Sequence, residues 1–113
     1  DIGAPLGDRF STEPGYWAVR AMQATGIRPQ WFGKPHAAAF DIALAQLETV
    51  YGRSFARRRV AMIGDSLHTD VLGASAAGLQ SVLLTDYGLF RDGGAEAMIQ
   101  RCGIAPDWMI AGL

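Results

Sequence analysis

The sequence predicts an α/β fold built on a parallel sheet in a three-layer arrangement, and three observations carry that expectation. Apolar runs at residues 60–63, 81–84 and Trp108–Ile110 have the length of buried strands. Segments of helical pattern fall between them, and this alternation predicts parallel strands joined by right-handed crossovers. The first run stops at Gly64-Asp65, with a second carboxylate, Asp70, five residues on. A strand that delivers an acid to its own carboxyl end, just before a helix starts, is how open α/β sheets build ligand sites.

Size and charge narrow the possibilities. A chain of 113 residues, 50% of them apolar, can bury one core and not two. Its net charge of -1 gives no electrostatic case for nucleic acid, and no run approaches membrane-spanning length. The single cysteine, Cys102, rules out an internal disulfide and favours a reducing, cytoplasmic setting. No charged start with an apolar centre marks a signal segment. The chain opens on Asp1 and its first methionine is Met22, so we expect a piece of a longer protein.

Residues 1–15 hold Gly3, Pro5, Gly7, Pro14 and Gly15 and read as mostly loop. A short helix over 16–25 follows, ended by Gly26, with Trp17, Ala21 and Ala24 on one face. Residues 30–32 form a brief strand candidate stopped by Gly33. Phe40, Leu44, Leu47 and Tyr51 recur at steps of four, three and four, which predicts an amphipathic helix from Ala37 to Tyr51 ended by Gly52. Arg57-Arg58-Arg59 reads as a solvated strand entrance. After Asp65, Gly73-Ala74-Ser75-Ala76-Ala77-Gly78 is small enough for a helix to lie close against a sheet. Beyond the strand at 81–84 we expect a Gly-rich loop through Gly94, a helix over 95–101 and a last strand at Trp108–Ile110. By domain, residues 1–29 are a connection and first helix, and 30–113 the later part of the core.

Two sets of residues can carry chemistry. Lys34 stands just before a helix opened by Pro35, where a cation opposes the positive end of the helix dipole at a cost of roughly 0.3–1 kcal/mol. A bound anion would offset it, because free N–H groups at a helix start already favour phosphate; a solvated lysine in a polar turn is the alternative. Asp65 and Asp70 admit a structural reading, in which Asp70 accepts N–H bonds in the first turn and Asp65 shapes the bend. In the functional reading Asp65 holds Mg²⁺, a hard cation that takes carboxylate, water and phosphate oxygens, while Asp70 fixes the turn or holds a water on the metal.

Gly33-Lys34-Pro35, an amphipathic helix, residues 60–70 ending in Thr69-Asp70, then Gly73-Ala74 and Ala77-Gly78 together resemble the second half of a haloacid dehalogenase superfamily phosphatase. The branch is the one that includes the NagD-like and p-nitrophenyl-phosphatase-like proteins; Thr85, Gly88 and Pro106-Asp107 also match it, from about Pro14 onward. The resemblance implies a Rossmann-like core and hydrolysis of a small phosphorylated metabolite through an aspartyl-phosphate, with Mg²⁺ and a lysine offsetting negative charge. It gives Lys34 the lysine's role, Asp65 that of the metal ligand and Asp70 that of the supporting acid at the metal, with Gly64 and Ser66 beside the substrate.

The chain also departs from that family. It contains no Asp-x-Asp triplet, and the Ser or Thr motif of the second strand has no convincing counterpart. The nucleophile and the cap domain would lie upstream, so we expect the core to be incomplete and the chain alone to hydrolyse nothing. Missing strands leave edges open, and these invite pairing with another copy of the chain. Two other readings compete. Gly64-Asp65-Ser66-Leu67 spells the GDSL-type esterase block with Ser66 as nucleophile, but only His36 and His68 exist and no histidine follows them to act as base. The other is a phosphate-binding or interaction domain that kept the fold and lost the reaction.

Overall fold

The computed structural model describes residues 2–113. The chain runs β1 (Gly3–Leu6), β2 (Arg9–Thr12), α1 (Pro14–Thr25), α2 (Ala37–Tyr51), a 3-10 turn (Arg57–Arg59) and β3 (Ala61–Gly64). A π-helical turn (Leu67–Val71) leads directly into α3 (Leu72–Ala76), and β4 (Gln80–Leu84), a second 3-10 turn (Gly88–Phe90), α4 (Ala95–Cys102) and β5 (Trp108–Ile110) complete it.

The central sheet is parallel, in the order β3-β4-β5, with Met62 beside Ser81, Gly64 beside Leu83 and Leu83 beside Met109. Side chains alternate across a sheet, so Met62, Ser81 and Leu83 share one face. That face holds the core. Leu83 packs with Leu67, Val71, Phe90 and Ala95, while Met62 packs against Phe40, Ala74 and Ala77. On the opposite face Ile63 is 42% exposed, so one helical layer is assembled on the sheet and the other side stands open. The outer edge of β3 has no strand beside it among the described residues.

Glycine sets how closely α3 approaches α2. A Cβ at Gly73 would run into the Phe40 ring, so the ring lies directly on helix backbone. Of the four apolar positions predicted to line α2, only Phe40 is buried; Leu44 and Leu47 are half-buried and Tyr51 is exposed. At the far edge, Asp107 and Ser81 clasp one another. The Asp107 carboxylate accepts from the Ser81 N–H and hydroxyl at 2.8 and 3.0 Å, and the Asp107 N–H donates to the Ser81 hydroxyl oxygen at 3.0 Å.

Two sequence expectations need correction. The opening segment is a hairpin, not a loop: Leu6 pairs with Arg9 across a two-residue turn in which Gly7 takes φ +63, as the first position of a II′-type turn requires. Gly7-Asp8 was the signal, masked by the surrounding proline and glycine. Residues 30–32 make no strand, because among the described residues there is no neighbour for them to pair with. Trp31 instead stacks on His36, with ring centroids 6.0 Å apart.

Candidate functional site

The site forms where β3 ends. Asp70 is 3% exposed, and the π-helical turn swings its carboxylate back over the strand terminus. One oxygen, Oδ2, accepts the backbone N–H groups of Asp65 and Ser66, both at 3.1 Å. The other, Oδ1, meets the Lys34 ammonium at 2.5 Å. Gly64 makes this possible, since a Cβ there would occupy the space of the Asp70 carboxylate. Both Asp70 oxygens are thereby committed to protein donors.

Asp65 is half-buried, and the hydrogen bond it makes here is through its backbone. Its carboxylate presses on the backbone of Gly88, where φ is +61 and a Cβ would overlap it. Lys34, Asp65, Ser66, Thr69 and Asp70 line one cleft of about 260 Å³, closed on another side by Gly3 and Ala4 of the N-terminal hairpin and by Leu89. Gly7-Asp8 signals the hairpin turn, but nothing local in the sequence places the hairpin against this cleft. Lys34, Asp65 and Asp70 therefore converge, with Ser66 contributing its N–H and Gly64 its missing side chain. His68 is exposed and does not line this cleft, while His36 lines a larger groove shared with Lys34 and α1. Neither histidine meets the needs of a Ser66 nucleophile.

The donor set can be tested against Mg²⁺. No group of three or more acidic, His or Cys side chains suited to a metal exists among the described residues. Mg²⁺ commonly takes only one or two protein carboxylates and fills the rest of its shell with water and phosphate oxygens. Asp65 lines the cleft and its carboxylate makes no hydrogen bond among the described residues, so it fits as one arm of such a site.

A family model described as HAD-hydrolase-like matches residues 31–111. The chain belongs to the HAD-like hydrolases. The p-nitrophenyl phosphatase of Archaeoglobus fulgidus is 26% identical with a TM-score of 0.81, over 99% of this chain and 41% of that one. A possible sugar phosphatase of Cytophaga hutchinsonii is 29% identical with a TM-score of 0.79, over 99% and 39%. The glycerol phosphate phosphatase of Mycobacterium tuberculosis, solved in complex with magnesium, is 26% identical with a TM-score of 0.71, over 97% and 30%. This HAD-like chain thus spans between 30% and 41% of the length of these relatives, and the p-nitrophenyl phosphatases among the similar structures are of the kind its motifs resemble. A search of curated proteins gives no match. No helix among the described residues is long and apolar enough to cross a membrane.

Proposed function

We propose that this chain supplies the charge-neutralising half of a magnesium-dependent phosphate monoester hydrolase acting on a small phosphorylated metabolite. One observation supports this reading above others: Asp70 ties the Lys34 ammonium to the β3 terminus, so that cation and the Asp65 carboxylate open on one cleft. Lys34 is 44% exposed at its side chain, so the ammonium can turn from Asp70 toward a phosphoryl oxygen entering from solvent. Asp70 is a positioning residue, holding the turn through two N–H groups and keeping the lysine in place between ligands. The Ser66 side of the turn borders the phosphate. Asp65 would be the chain's ligand to Mg²⁺, whose chemistry when bound is to neutralise phosphoryl oxygen charge.

The attacking group is not among these residues, since no Asp-x-Asp occurs in the sequence. The 113-residue chain should leave p-nitrophenyl phosphate intact while Mn²⁺, used as a paramagnetic probe, broadens the amide signals of residues 64–66. Asp65→Asn should abolish that broadening with the fold unchanged. Turnover by the chain alone, or broadening that survives Asp65→Asn, overturns the assignment.

A further inference from the structure

Four arginines fall within seven residues, Arg53, Arg57, Arg58 and Arg59, at the end of the sheet opposite the Lys34 cleft. The 3-10 turn has three residues per turn, so its three guanidinium groups diverge rather than form one patch. Arg57 is used structurally: it donates to Asp41 at 2.7 Å and to the Ala77 carbonyl at 2.9 Å, fastening α2 to the end of α3. Arg59 instead lines a concavity of about 360 Å³ together with Arg53, Ser54, Phe55 and Ala56. That wall is braced. The Arg53 guanidinium sits 4.7 Å from the Phe55 ring centre, Tyr51 packs edge-on against the same ring, and the Phe55 N–H donates to Glu48 at 3.4 Å.

Neither Arg53 nor Arg59 is in an ion pair among the described residues, and Glu48 is the carboxylate that stands against this segment. The charge is also unevenly placed: the chain is net -1, yet four of its ten basic residues gather here with Asp41 and Glu48 as acidic neighbours. We propose that the Arg53 and Arg59 concavity is a second anion site that binds a phosphate dianion, free or as the terminal group of a small ester. Two forked guanidinium groups match phosphate geometry, and the volume suits a small ligand. β3 separates it from the Asp65 cleft by about 13 Å, at roughly 3.3 Å per residue, so it is independent of the reading above.

The test is an amide NMR titration of the 113-residue chain without metal and at constant ionic strength, using inorganic phosphate in one arm and glycerol 2-phosphate in the other. We expect saturable shifts at residues 53–59. Arg53→Gln or Arg59→Gln should each weaken binding about tenfold, the double variant should abolish it, and Lys34→Met should leave it unchanged. Saturation by both ligands identifies free phosphate as sufficient; saturation by glycerol 2-phosphate alone identifies an ester. Shifts that never saturate, that survive the double variant, or that are confined to residues 34 and 64–70 overturn the proposal. Unchanged signals in β4 and β5 verify that each variant is folded.

Discussion

Replacing Asp70 by asparagine isolates the interaction on which the cleft is built. The side chain is 4% exposed and serves three donors, two backbone N–H groups on Oδ2 and the Lys34 ammonium on Oδ1. An amide keeps a single acceptor oxygen. If that oxygen stays on the two N–H groups, their bonds fall from the charge-assisted range of about 1.5–3 kcal/mol toward about 1 kcal/mol. The amide NH₂ then faces an ammonium, donor against donor. Lys34 relieves part of this by turning to water, because its side chain is 44% exposed, which also limits the ion pair itself to about 1 kcal/mol. These effects place the loss for Asp70→Asn at about 3 kcal/mol, and for Lys34→Met at no more than about 1 kcal/mol. Urea unfolding followed by tryptophan fluorescence measures both, with equal slopes as the check that the same transition is compared. A loss below about 1 kcal/mol for Asp70→Asn, or equal losses for the two variants, would refute the division of labour between the two oxygens.

Gly73→Ala places a methyl group in the Phe40 ring and should cost about 1–3 kcal/mol through overpacking, measured as a lower melting temperature; the double variant with Phe40→Leu should recover part of it. Ser81→Ala deletes both hydroxyl bonds of the Asp107 clasp in a residue only 2% exposed. Its cost should be about 1–3 kcal/mol, and faster hydrogen exchange in β5 than in β3 would locate the damage at that edge.

Most of the fold could be read from periodicity. The helix at Ala37–Tyr51 was fully legible because its apolar spacing and its closing Gly52, at φ 62, are both local signals. The parallel strands were legible because short apolar runs alternate with helices. The hairpin was hidden by composition, since Gly3, Pro5 and Gly7 lower strand propensity while Gly7-Asp8 favours the turn. Residues 30–32 carry a strand-like pattern that finds no partner strand among the described residues. At the site, residue types and spacing indicated which side chains gather, but could not say how one carboxylate divides itself. That depends on the π-helical turn at Leu67–Val71, for which a single sequence carries no pattern.

That turn also makes the segment intolerant of any change in length. It carries five residues per hydrogen-bonded loop where an ordinary helix needs four, and removal of one would rotate the acid by about 100° around the axis. The carboxylate would then leave both the strand terminus and the lysine in a single step. In this chain the five-residue interval from Asp65 to Asp70 is thus a measured distance, and within it the exposed His68 can change identity before the count can.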